Sequence, residues 1–220
     1  EYARLLLKDV LPLCAVHLFL CREVPAPQNL EITGRLCYYD RNDAVCGERP
    51  GTEREGGNGM FRGARRSDLE QILEIYAHAR KAMADSGNPT QWGDSYPPQE
   101  MLEEDIDSNR LFVYTVNGRL EAVFAFILGP DPTYAKIEDG QWLNDEVPYG
   151  TIHRLASAGD RRGVASEVIA WCLEHCESLR ADTHADNKIM QHLLEENGFT
   201  KCGIIHAVSY THLTLPTTSR

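Results

Sequence analysis

"TIHRLASAGDRRGVAS", residues 151–166, is the stretch on which the fold turns. Its first half reads as a short strand, and the run breaks at Ala158-Gly159-Asp160, where glycine marks a turn. Arg161, Arg162 and Gly163 follow, and an apolar helical pattern begins at Val164. A strand, a basic glycine turn and a helix start, in that order, make an anion site. The first amides of a helix have no partners inside it and lie at the positive end of its dipole. Gly163 lets the backbone approach an anion closely, and Arg161 and Arg162 add fork-shaped donors.

Reading outward, Ser67 to Met83 predicts an amphipathic helix. Leu69, Ile72, Leu73, Tyr76, Ala79 and Met83 recur at helical spacing, and Ser67 with Glu70 has the form of a capping box. Gly87 and Pro89 end it. A second short helix is expected from Pro97-Pro98, carrying Met101, Leu102 and Ile106. "LFVYTV", Asn117-Gly118 and "LEAVFAFIL" predict a tight hairpin. A polar loop with Tyr134, Trp142 and Tyr149 leads back to the strand around 151–156. Downstream, a helix is expected over about 164–177, with Ala165, Val168, Ile169, Cys172, Leu173 and Cys176 on one face. "LRADTH" reads as a strand. Asp186 is placed as the cap of a helix carrying Ile189, Met190, Leu193 and Leu194, which Asn197-Gly198 ends. "FTKCGII" reads as a last strand. The order predicts an α/β domain, a mixed sheet flanked by helices.

The charge excludes some partners. The formal net charge of -11 argues against broad nucleic-acid binding. Seven cysteines without metal-like spacing read as reduced thiols, which places the chain in the cytoplasm. Val10–Cys21 is the only membrane-like run; it is too short to span and holds Pro12 and His17, so no membrane partner is expected. Residues 1–59 show no sustained period, and they are expected to be a translated leader ahead of a start at Met60. "VSYTHLTLPTTSR", 208–220, resembles a translated sequencing adapter. The domain is therefore expected over 60–206, with 207–220 as an added tail.

A diphosphate held by the turn, with an amide-bearing arm paired to the strand edge before it, describes coenzyme A. The segment from Met60 to about His206 resembles the GNAT superfamily of N-acetyltransferases. "IHRLAS" resembles the family's fourth strand, "RRGVAS" its pyrophosphate loop, and "DNKIMQHLLEENGF" its later helix. The resemblance implies a mixed, splayed central sheet flanked by helices, here lacking the family's C-terminal strand. It implies acetyl-CoA as co-substrate, no metal, and direct transfer of the acetyl group to a primary amine of a small molecule or peptide. Gly163, Val164, Ala165 and Ser166 would offer backbone amides to the diphosphate, beside Arg161 and Arg162. Leu155 and Ala156 would pair with the pantetheine arm, and Asn187 would flank it. Trp92, Asp94 and Tyr96 fall where the family walls the acceptor pocket.

Two positions depart from the pattern. Asp160 stands where the family loop begins with Gln or Arg, and Leu194 stands where a tyrosine acid is frequent. His153, on the strand beside the expected thioester, is the candidate base, because histidine titrates near neutral pH. The alternative is a core or edge histidine. His184 is a second candidate or a loop histidine near a cap; His175 and His192 are expected to face solvent. Cys172 and Cys176, spaced i, i+4 on the apolar stripe, read as buried thiols rather than ligands. The rival function is a non-catalytic CoA-binding sensor or interaction module. Loss of the last strand predicts open sheet edges near "LRADTH" and "FTKCGII". Such edges favour association; the full-length parent is expected to use that region for a homodimer.

Overall fold

The Asn-Gly hairpin builds the centre of the sheet. Strands β4 (Leu111–Val116) and β5 (Arg119–Leu128) pair antiparallel, and Asn117 and Gly118 between them both take positive φ, as a twist-compatible two-residue turn requires. The computed structural model describes residues 15–23, 55–56 and 59–207. The other strands there are β1 (Ala15–Glu23), β2 (Glu55–Gly56), β3 (Gly59–Gly63), β6 (Tyr149–Ser157), β7 (Ser178–His184) and β8 (Thr200–Ala207). The helices are α1 (Leu69–Asp85), α2 (Gln99–Asp107), α3 (Val164–Leu173) and α4 (Lys188–Glu196). The order across the sheet is β2-β3-β4-β5-β6-β7-β1-β8. Only β6 and β7 run parallel.

The central strands are apolar on both faces because both faces are covered. Phe112, Phe124 and Phe126 pack against Val168, Ile169 and Trp171 of α3. Leu111, Val113, Val123 and Ala125 pack against Ile72, Ile75 and Tyr76 of α1 and Leu102 and Ile106 of α2. Each such side chain contributes roughly 1.5–3 kcal/mol when fully buried.

Some expected boundaries move. The start of α1 is fixed by Asp68, not by Ser67 and Glu70: the Asp68 carboxylate accepts from the Arg65 amide at 2.7 Å and pairs with Arg62. The cap of α4 is Asn187, not Asp186; its Oδ1 accepts from the Met190 amide at 3.0 Å. Helix α3 stops at Leu173 rather than near 177, and the chain tightens through Glu174 and His175, whose amides donate to Trp171 and Cys172. His175 is only half-exposed. It lies on the Trp171 ring, 4.2 Å between centroids. His192 is exposed beside Glu196.

The expectation of an open edge is overturned at β7. β1, from the segment expected as leader, lies between β7 and β8 and pairs antiparallel with both. β1 thus fills the edge of β7 and the inner side of β8, while β8 remains the last strand of the sheet, its outer side bridged at Glu138–Ile204. The adapter-like residues 208–220 and the remainder of 1–54 lie outside the described residues.

The feature that shapes the cleft is a bulge in β6. Opposite β5, Ala156 pairs with Val123 and His153 with Ala125, so β6 carries one extra residue there. Arg154 absorbs it with φ of +53°, a left-handed conformation that a non-glycine residue adopts only when its surroundings hold it. Tyr76 of α1 donates its hydroxyl to the Arg154 carbonyl at 2.9 Å, and Asp105 of α2 holds the guanidinium in a buried ion pair. Removing one partner strands the other charge in the interior, which costs about 3–5 kcal/mol. We therefore expect Asp105→Ala to lower unfolding free energy by about that amount, read from urea denaturation, with Asp105→Glu milder.

Candidate active site

β6 and β7 pair only from Tyr149–Ser178 to Ile152–Ala181. Beyond that the bulge turns β6 away, and the two strands diverge into a fork. Bending of this kind is what a bulge does. On the fork side, Leu155 and Ala156 belong to the stretch of β6 with no β7 partner. On that side their backbone has no strand partner.

The helix facing the open end of the fork is α3. Its N-cap is Gly163, with φ of +82° and no side-chain cap. A Cβ placed on Gly163 would meet nothing within 4 Å. The glycine therefore serves the backbone angle, and the space beside it is open. The amides of Val164, Ala165 and Ser166 fall in the first turn, where intrahelical acceptors are lacking; the first α-helical bond runs from Glu167 to the Gly163 carbonyl at 3.1 Å. The Ser166 hydroxyl is engaged from the other side, accepting from Asn197 at 3.0 Å.

Asp160, the residue that sits badly beside a diphosphate, is drawn away. Its carboxylate pairs with Arg119 at 2.9 Å on the exposed surface. Arg162 is exposed. Arg161 is held back: its guanidinium makes two bonds to Glu167, at 2.5 and 3.1 Å, and a third to the Tyr114 hydroxyl at 3.1 Å. The Tyr114 hydroxyl itself donates to Glu167. Neither Tyr114 nor Glu167 was legible as part of this turn, because they come from β4 and from inside α3.

At the crotch of the fork stand His153 and Asp182, the first residues of each strand past the last pair. His153 Nε2 lies 2.7 Å from Asp131 Oδ2 and its Nδ1 lies 3.6 Å from Asp182 Oδ1. Asp182 also accepts from the buried Tyr134 hydroxyl at 2.7 Å. Burial works to lower the His153 pKa, but the bonds and charges of Asp131 and Asp182 outweigh it, and the net shift is upward. Burial pulls Asp131 the opposite way, yet His153 and the Thr133 amide hold it below the usual carboxylate range. The two carboxylates thus favour the protonated form of the ring that lies between them. Sequence reading found the histidine and missed both aspartates. One signal was present: Arg180, Asp182 and His184 alternate along β7, which marks one polar face.

The loop between α1 and α2 closes one side. Gln91 Oε1 accepts from Asn187 Nδ2 at 3.0 Å, so this loop reaches the start of α4 beyond β7. Trp92 sits edge-on to Tyr76, 5.7 Å between centroids, and 6.3 Å from Tyr96. Trp92 and Tyr96 thus gather over the residue that anchors the bulge, while Asp94 is exposed. Leu194, whose aliphatic side chain has no proton to give, is buried in the core. His184 accepts from the Asp186 amide at 3.2 Å, as a residue of the α4 cap would.

Cys172 is a buried thiol and Cys176 a half-buried one. Burial pushes Cys172 far up and Cys176 to about 12, and Cys176 donates to the Cys172 carbonyl. Among the described residues, no three His, Cys, Asp or Glu side chains are grouped to hold a metal ion, and no helix is long and apolar enough to cross a membrane.

Comparison with known proteins supports the same reading of the architecture. The chain is similar to a solved acetyltransferase of the GNAT family from Streptococcus agalactiae 2603, with 31% identity, 68% of this chain and 89% of that chain covered, and a TM-score of 0.63. A second, from Listeria monocytogenes 4b F2365, shares the fold at 17% identity, covering 67% of this chain and 91% of its own, with a TM-score of 0.52. No family model and no curated protein matches the sequence.

Proposed function

We propose, from the premise that this chain belongs to the GNAT superfamily of acetyltransferases, that it moves an acetyl group from acetyl-CoA directly to a primary amine. The observation that carries the reading is the fork itself: β6 backbone at Leu155–Ala156, without a partner on its β7 side, leads to the uncapped first turn of α3 at Gly163. The residues present fit the coenzyme. Amides of Val164, Ala165 and Ser166 suit its diphosphate, the β6 edge suits its amide-bearing arm, and Asn187 flanks that arm. Bound there, acetyl-CoA supplies an acyl carbon already activated as a thioester.

The chain's own part is to hold the amine and to take its proton. Trp92 and Tyr96 shape the acceptor side, with Asp94 at its exposed rim. His153 is the base. Asp131 grips Nε2 and fixes the ring, as an orienting carboxylate does, while the looser Nδ1 contact with Asp182 is the one that opens to an amine. One N–C bond forms, the C–S bond breaks, and the proton leaving nitrogen passes to His153 and finally to the thiol. A cytoplasmic setting, rich in acetyl-CoA and reducing toward free thiols, suits this chemistry.

The rival, a CoA-binding module without turnover, draws on Leu194, whose buried place leaves no hydroxyl where the family frequently has one. Thiol release from acetyl-CoA with a panel of amines separates the two. Amine-dependent release at a rate above water supports transfer; tight CoA binding with no release for any amine supports the module.

The contact between Arg161 and Glu167 gives a second test. A diphosphate must compete with Glu167 for that guanidinium. The pair is partly exposed, at 39% and 35%, so solvent screens it and its hold on the guanidinium is weak. Glu167→Gln is expected to tighten CoA binding by a few-fold, up to about fivefold, as measured by calorimetry.

A further inference from the structure

Among the described strands, β1 is the one in the sheet's interior that is consecutive in the chain with neither of its neighbours. It separates β7 from β8, and its Arg22 donates to the Asn197 carbonyl at 2.7 Å, 175 positions along. Its connection to β2, residues 24–54, lies outside the described residues. Strand order places β2 at the far edge of the sheet, about 29 Å away at the usual spacing of about 4.8 Å per strand. A chain of that length spans this distance easily.

What holds β1 is what holds a bound peptide. Its backbone pairs on both sides, from His17–His184 to Glu23–Ser178 against β7 and from Ala15–Ala207 to Cys21–Thr200 against β8. Leu20 and Cys21 are buried. Backbone pairing gives affinity and alternate side-chain pockets give selectivity, as in strand addition to a sheet edge. On the α4 side the fit is open: a groove runs along β1, lined by Leu18, Leu20, Lys188, Gln191 and Lys201.

We propose that the slot between β7 and β8 is a strand-binding site, and that residues 15–23 occupy it as a separable ligand. The proposal does not rest on acyl transfer. Its consequence for the site is positional: Phe19 pairs with Asp182 and His17 with His184, so the occupied slot sets one arm of the fork.

The test uses the full chain with a specific protease sequence inserted in the 24–54 connection. After cleavage, the N-terminal fragment is expected to co-elute with the remainder. Unfolding in urea and refolding with excess fluorescent peptide spanning Ala15–Glu23 should place the label in the slot. It should also restore slow hydrogen exchange to β7 and β8 amides. A Leu20→Asp peptide should be captured at least about a hundredfold more weakly, since it buries an unpaired charge. Three results would overturn the proposal. The fragment separates on cleavage while the remainder keeps protected β7 and β8 amides; the two peptides are captured alike; or the remainder fails to refold with the wild-type peptide present.

Discussion

Gly163→Asp is expected to weaken acetyl-CoA binding by about a hundredfold or more. Two effects add. A carboxylate at the helix start opposes the diphosphate at close range, worth about 3–4 kcal/mol at 4–5 Å for an effective dielectric near 20. It also cancels the favourable field that the first turn offers an anion, worth about 0.3–1 kcal/mol. Solvent and salt reduce the first figure, which leaves roughly 3 kcal/mol. Strain is a separate matter. The φ of +82° disfavours any side chain by about 1–2 kcal/mol, and that cost falls on stability. Gly163→Ala carries the strain without the charge. Space beside the residue is open, so its CoA affinity should fall far less. Calorimetry with both variants, alongside their unfolding curves, separates charge from strain. Equal losses for Ala and Asp would remove the diphosphate from this turn.

Replacing His153 by alanine should lower kcat by about 10²–10⁴ and leave the KM for acetyl-CoA nearly unchanged, since the ring stands at the crotch and not at the turn. The pH dependence has a definite sign. His153 titrates above its ordinary 6.5, and only its neutral form accepts a proton. The rising limb of kcat/KM should therefore lie above 6.5, and Asp131→Asn should bring it down toward that value. Stability should move the other way. A histidine with a raised folded pKa contributes stability that is full below its unfolded value and lost as pH rises through the folded one. Between 6.5 and the folded value, activity climbs while the ion-pair contribution fades, and His153→Ala should abolish both slopes. A limb at or below 6.5, or one that Asp131→Asn leaves in place, would clear His153 of the role.

Much of the frame was written locally. The Asn-Gly hairpin, the Gly163 start of α3 and the Asn197-Gly198 stop of α4 each rest on short-range chemistry, and each stands as read. The cleft is different, because it depends on contacts between distant residues. Nothing near Arg154 announces a left-handed arginine; its conformation is imposed by Tyr76 and Asp105 from two helices on one face of the sheet. Asp131 reads as a turn residue until the sheet brings it to His153. Asp160 looked wrong beside a diphosphate, and the answer lies across the hairpin in Arg119. β1 is the furthest case. Its nine residues have strand character, yet no local signal says which edges they join, since pairing partners are set by the whole topology. The face that Arg180, Asp182 and His184 share was readable as period-two polarity, and it pointed at the fork.

The measurement that bears most directly on the fork is an amide spectrum of the full chain titrated with CoA. Val164, Ala165 and Ser166 should show the largest nitrogen and proton shifts, with Leu155 and Ala156 next, all saturating with one affinity. Shifts that leave these amides unmoved, or gather on another part of the sheet, would contradict the assignment of the α3 turn and the β6 edge to the coenzyme.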